Sequence, residues 1–150
     1  MYIFEQTQKI NKPLDEVFEF FSKPENLGKI TPNWLKFEIK TSPDQTMKKN
    51  AVFIYKIKFH NVPMKWKTLI TKYEPPYLFV DEQANGPYKK WVHTHTFEEV
   101  NGFTIMSDKL EYDLYGGIFK SILHSAFIKN SIEQIFDYRK TIISREFESE

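Results

Sequence analysis

Residues 118–147 contain neither proline nor glycine. Within this stretch Ile128, Ile132, Ile135, Phe136, Ile143 and Phe147 recur at helical spacing, against Lys129, Glu133, Lys140 and Glu146. A helix of that length spans about 45 Å, enough to cross a small domain from side to side. Its apolar stripe needs a partner surface of comparable reach, and only the preceding residues can supply it.

Those residues alternate with the period of half-buried strands. Tyr2, Phe4, Thr7 and Ile10 mark a first strand over 2–10, and Leu35, Phe37 and Ile39 alternate with Lys36, Glu38 and Lys40. Phe53, Tyr55, Ile57 and Phe59 alternate with Lys56 and Lys58. After a turn at His60, Asn61 and Val62, the residues Met64, Trp66, Thr68 and Ile70 alternate with Lys65 and Lys67. The connector Glu74-Pro75-Pro76-Tyr77 leads to a short strand over 78–83, and Asn85-Gly86-Pro87 marks a turn. Asn101-Gly102, a strong hairpin signal, joins long strands over 89–100 and 103–112. Residues 42–49 read as a polar loop. Between the first two strands, Asn11 is a candidate cap and Pro13 suits a first helical turn. Leu14, Val17, Phe18 and Phe21 then follow at helical spacing as far as Pro24, and a second short helix is expected over 25–30. Hairpin connections imply antiparallel pairing. The order predicts an α+β, helix-grip architecture: a curved antiparallel seven-stranded sheet around a long C-terminal helix, with two short helices between strands 1 and 2. A single domain over residues 1–150 is expected.

The 14 Phe, 8 Tyr and 3 Trp suit a core or cavity walled by rings. Lys and Arg total 21 against 20 Asp and Glu, a net charge of +1, so no nucleic-acid partner is expected. The lack of cysteine excludes disulfides, thiolate ligands and a Cys nucleophile, and fits a cytoplasmic protein. The first residues show neither a basic n-region nor an apolar h-region, so no signal peptide is expected. No apolar run approaches the roughly 18 residues of a membrane span.

Alternation places Trp91, His93, His95 and Phe97 on one face of the long strand, pointing inward. Thr104, Met106, Asp108, Leu110 and Tyr112 share a face of its partner, and Phe79, Asp81 and Gln83 share one on the short strand. Two Asp, one Gln and two His thus converge beneath the helix. Buried charges need partners, so Asp108 is expected beside one histidine and Asp81 beside the other. Three readings stay open: a buried structural network, polar anchors in a ligand cavity, and acid–base chemistry. In the last, His93 or His95 is the acid–base group and Asp108 its orienter. His-x-His with a carboxylate is compatible with a metal triad, and Gly86, Gly102 and Glu98 or Glu99 loosely echo a cupin pattern. The spacing departs from that pattern and no second motif follows, so neither metal nor cofactor is expected. Lys56, Lys58, Lys65 and Lys67 form a basic face read as solvated. His60 is expected to be exposed. Ser121, His124, Ser125 and Ser131 lack nucleophile-elbow context.

The element order and several segments resemble the START-like, helix-grip proteins of the ligand-binding SRPBCC group, related to polyketide cyclase/dehydrase-like domains. The segments are Thr31-Pro32-Asn33-Trp34-Leu35-Lys36-Phe37, Tyr73-Glu74-Pro75-Pro76, Phe79-Val80-Asp81-Glu82-Gln83, Gly86-Pro87-Tyr88, Trp91-x-His93-x-His95-x-Phe97, Asp108-x-Leu110-x-Tyr112 and Ile135-Phe136-x-Tyr138-Arg139. The resemblance implies a helix gripped by seven strands over a deep cavity, in a superfamily of carriers, cyclases and sensors. The expected function is binding of a small hydrophobic or amphipathic molecule. Tyr55, Phe59, Trp66, Trp91, Phe97 and Met106, with Phe53, would form apolar walls. Asp81, Gln83, His93, His95 and Asp108 would orient a polar head, and Pro63 and 74–77 would lie at the rim. The alternatives are a cyclase/dehydratase-like enzyme using a His–Asp pair (His93 or His95 with Asp108) and a dimerising or docking module; a monomer or homodimer is expected.

Overall fold

A computed structural model describes residues 1–41, 45–59 and 61–148. Residues 42–44 of the expected polar loop, and His60 with its expected exposure, lie outside them. The chain runs β1 (Tyr2–Ile10), α1 (Leu14–Phe21), α2 (Pro24–Lys29), β2 (Glu38–Ile39), β3 (Val52–Phe59), β4 (Val62–Glu74), β5 (Leu78–Asn85), β6 (Lys90–Val100) and β7 (Phe103–Asp113). A C-terminal helix over 117–148 completes it. All seven strands form one antiparallel sheet in the order β1-β7-β6-β5-β4-β3-β2. This is the α+β helix-grip architecture that the sequence predicts.

The hairpin turns sit where their residues can adopt positive φ. Asn101 and Gly102 have φ of 51° and 88°, the sign pattern of the turn whose twist matches flanking strands. Register shifts between Lys67 and Thr68 and between Ile70 and Lys72 interrupt the β4–β5 ladder. Such irregularities bend a sheet, and here they curve it around the helix.

Two local expectations are corrected. The strand expected over 35–40 shrinks to Glu38–Ile39, because Asn33–Leu35 forms a 3-10 turn and Lys36 adopts a left-handed φ of 49°. Burial still alternates there, with Leu35 and Phe37 inward of Lys36 and Glu38, but the alternation comes from a turn rather than a strand. Asn11 does not cap α1; Pro13 occupies the N-cap, with no side-chain hydrogen bond.

The C-terminal helix is not uniform. It opens with a 3-10 turn (Gly117–Phe119), continues as α3 (Lys120–Leu123), passes through a π-helical segment (His124–Ile128), and ends in α4 (Lys129–Glu148). The Lys129 amide donates to the carbonyl of His124, five residues back. Only α4 contributes buried residues: Ile132, Phe136, Arg139, Ile143 and Phe147, three or four apart along one face. Gln8 of β1 fastens this part, its side-chain amide donating to the Lys140 carbonyl at 2.9 Å and the Ser144 hydroxyl at 3.1 Å. At the same end, Phe18 and Phe21 of α1 pack on Phe97 at ring separations of 5.2 and 5.6 Å. Met106 joins the same apolar cluster.

Candidate functional site

The site begins with register. Asp81 of β5 lies opposite His93 of β6, and His95 of β6 lies opposite Asp108 of β7. Side chains on opposed positions share a face, so two imidazoles and two carboxylates meet on the concave side of the sheet. The hydrogen bonds run diagonally to this pairing. His93 Nε2 is 2.7 Å from Asp108 Oδ1, and His95 Nε2 is 2.6 Å from Asp81 Oδ2. His93 Nδ1 also lies 3.8 Å from Asp81 Oδ2. The rings lie 3.7 Å apart, between the two carboxylates. Phe79 stacks on His95 at 4.1 Å, and the edge of Phe136 of α4 closes on His93 at 5.4 Å.

The shared burial sets the charges. For His95, burial opposes the charged form, yet hydrogen bonding to Asp108 and Asp81 outweighs it and raises the pKa. For His93, burial and the charge on His95 prevail over its carboxylate neighbours, and the pKa falls. Burial also works against ionised Asp81 and Asp108, but the histidines, with Arg139 beyond them, hold both below the ordinary carboxylate value. His95 therefore holds a proton more readily than His93 does. An ionised Asp108 can only accept, so His93 Nε2 is the donor in their bond. Burial pushes the Tyr55 hydroxyl up, with the Asp81 charge adding to it, so Tyr55 stays a neutral phenol.

The cluster forms part of the wall of a cavity of about 350 Å³ between sheet and helix, within the roughly 300–1,000 Å³ of small-molecule sites. Tyr55, Phe59, Trp66, Asp81, Trp91, His93 and His95 all border it, as the sequence reading places them. Trp66 and Trp91 meet edge to face at 5.0 Å, and Tyr88 packs on Trp91 at 4.7 Å.

Five expected lining residues do not reach it, and each has a reason. Phe97 points inward but is covered by α1, and buried Met106 packs in the same cluster, as does Phe53. Asp108 lies behind the histidines and acts on the cavity only through them. Gln83 turns to its own loop, donating to the Tyr88 carbonyl at 2.8 Å and accepting from the Tyr88 amide at 3.0 Å. That contact needs Gly86, since a Cβ there would sit 2.5 Å from Gln83 Oε1. Gln83 thus positions Tyr88. The expected rim residues Pro63 and 74–77 do not border the cavity either.

Sequence reasoning missed Tyr88, Phe37, Phe79 and Arg139 as lining residues. Arg139 had a signal: the stripe through Ile132 and Phe136 reaches Ile143 only by way of position 139. Asp81, His93 and His95 place one donor atom each within 4.8 Å of one another, close enough to meet at one ion. Two of them, Asp81 and His95, are joined here by the 2.6 Å hydrogen bond.

A seven-stranded antiparallel sheet gripping a C-terminal helix over a ring-lined cavity defines a helix-grip domain. The chain belongs to the polyketide cyclase / dehydrase and lipid transport family, whose model matches residues 10–137. No curated protein matches the chain significantly. Among solved structures it is similar to protein CV1439 from Chromobacterium violaceum, with a TM-score of 0.76, 8% identity and 99% of each chain covered. It is also similar to protein Ms6760 from Mycobacterium smegmatis, with a TM-score of 0.71, 13% identity, and 98% of this chain and 91% of that one covered. Major latex-like protein 151 from Panax ginseng gives a TM-score of 0.70 at 14% identity, covering 97% of both chains. At these identities the likeness is one of fold. Among the described residues no helix is long and apolar enough to cross a membrane.

Proposed function

We propose that the protein binds a small hydrophobic or amphipathic molecule in the cavity between sheet and helix. The observation that carries this reading is the lining: mostly aromatic and aliphatic walls, with Asp81, His93, His95 and Arg139 among the few polar groups. Apolar burial supplies affinity in such a site and the few polar groups set orientation. The test uses N-phenyl-1-naphthylamine, an uncharged apolar probe whose emission rises on leaving water. One probe should bind per chain, with Tyr55 and Trp66 along its wall. Ile57→Trp, which adds bulk at a half-buried lining position, should weaken binding at least about tenfold, the effect of roughly 1.4 kcal/mol. Unchanged probe affinity in that variant would place the probe elsewhere and sink the reading.

A second reading rests on one observation: two imidazoles 3.7 Å apart, each bonded to its own carboxylate, at a cavity wall. Pairs of this kind run acid–base chemistry. In a cyclase- or dehydratase-like reaction, His93 Nδ1 is the basic nitrogen, with Asp108 orienting the ring from Nε2, and His95, held by Asp81, is the proton-holding group. Turnover would then follow an imidazole titration and vanish in His95→Ala. A folded His95→Ala with full turnover rejects it.

A further inference from the structure

Arg139 is 8% exposed, borders the cavity, and its Nε finds no hydrogen-bond partner among the described residues. The guanidinium lies over the Phe136 ring, with Cζ 5.1 Å from the centroid. A guanidinium offers donors and no acceptor, and leaving a buried donor unmatched is costly. Asp81 and Asp108, the acidic groups beyond it, are engaged with the two histidines. Arg139 therefore has charge compensation nearby, while its Nε lacks a hydrogen-bond acceptor.

From this geometry we infer that Arg139 is the specificity-determining group of the cavity, and that it selects a ligand whose head is an uncharged oxygen acceptor, such as a ketone or amide carbonyl. The inference rests on the binding reading above and sharpens it. The charge count distinguishes a neutral head from an anionic one. The two carboxylates, Asp81 and Asp108, are already balanced by the two imidazoles bonded to them and by the Arg139 guanidinium on the same cavity wall. A carbonyl oxygen would satisfy the guanidinium and leave that balance intact. A carboxylate would bring an uncompensated charge into a dry site beside Asp81, which is costly. The apolar rings of Trp66, Tyr88 and Trp91 suit a flat or aliphatic body attached to such a head.

Three matched probes test this by displacement of N-phenyl-1-naphthylamine: 2-ethylnaphthalene, 2-acetylnaphthalene and 2-naphthoate. The wild-type protein should bind the ketone at least about tenfold more tightly than the ethyl analogue, the effect expected of a hydrogen bond to a charged donor. It should bind the ketone more tightly than the carboxylate as well. Arg139→Met keeps an unbranched apolar stem over Phe136; it should erase the ketone's advantage while keeping affinity for 2-ethylnaphthalene. Equal binding of ketone and ethyl analogue by the wild type would overturn the inference and leave the binding reading standing. Preference for 2-naphthoate would also overturn it, by assigning an anionic head. Failure of the fluorescent probe and all three naphthalenes to bind would overturn both. The wild-type series decides even if Arg139→Met does not fold.

Discussion

The two parts of the C-terminal helix face opposite demands. In α4 the residues Ile132, Phe136, Ile143 and Phe147 are at most 8% exposed. In the preceding turns Ile118, Phe119, Ile122 and Phe127 are 86%, 66%, 65% and 56% exposed. Both parts are rich in large apolar side chains, so composition does not separate them. The partner surface does: β1 and α1 close on α4, which also walls the cavity through Ile132, Ile135, Phe136 and Arg139, whereas the near part reaches the cavity only at Leu123 and Ile128. That part is tethered by Lys120, which donates to Asp113 at 2.9 Å, and by His124, stacked on Tyr2 at 3.5 Å and hydrogen-bonded to the Tyr112 hydroxyl at 2.7 Å. That hydroxyl is pushed up to about 12 by burial, with Tyr2 and Glu133 adding to it, so it keeps its proton and can donate to His124. One end of the helix is an anchor and the other a cover, and the π-helical segment lies at the change.

The largest expected effect follows from that division. Phe136→Ala should cost about 3–5 kcal/mol in urea unfolding, as large-to-small changes at closed core positions do. Phe127→Ser should stay within about 0.5 kcal/mol, as at ordinary exposed positions. Similar losses in both variants would mean that the near part is anchored as firmly as α4, and would remove the contrast. A finer probe is amide hydrogen exchange. Amides over 132–147 should exchange only through global unfolding, and those over 118–128 through local opening of lower free energy. Uniform protection along the helix would break the comparison at the level of dynamics.

How much of this was legible in the sequence depends on what alternation can carry. It gave the face of each strand residue, so Asp81, His93 and His95 could be grouped without coordinates. It did not give position along the sheet. Phe97 faces the same way as His95, yet α1 covers it while the cavity lies beside the other. The left-handed Lys36 and the interrupted β4–β5 ladder are invisible to a period-two reading, because neither leaves a glycine or proline at its position. The helix runs as far as the sequence predicts, but its change from exposed to buried turns goes unmarked for a related reason. Proline and glycine mark where a helix must end, whereas burial depends on what stands opposite. Arg139 was overlooked because a charged residue in a stripe reads as an interruption, although spacing put it among the buried positions.

The smallest predicted effect asks to which part of the molecule the histidine–carboxylate cluster belongs. His95 has a folded-state pKa above the ordinary 6.5. The stability it adds is fully present below pH 6.5 and is lost as pH rises through the folded value. His93 has a folded-state pKa below 6.5, so its contribution runs the other way: it is present above pH 6.5 and is lost as pH falls through the folded value. The stability difference between wild type and His95→Gln should therefore shrink above pH 6.5, and that between wild type and His93→Gln should grow as pH rises towards 6.5. Neither slope can exceed about 1.4 kcal/mol per pH unit for one proton. Since Phe136 of α4 closes on His93 and the three strands carrying the cluster are fully paired, these slopes should appear in global unfolding. A pH response confined to amide exchange over 118–128, with global stability flat, would assign the cluster to the loosely held cover and redraw the boundary between the two parts of the helix.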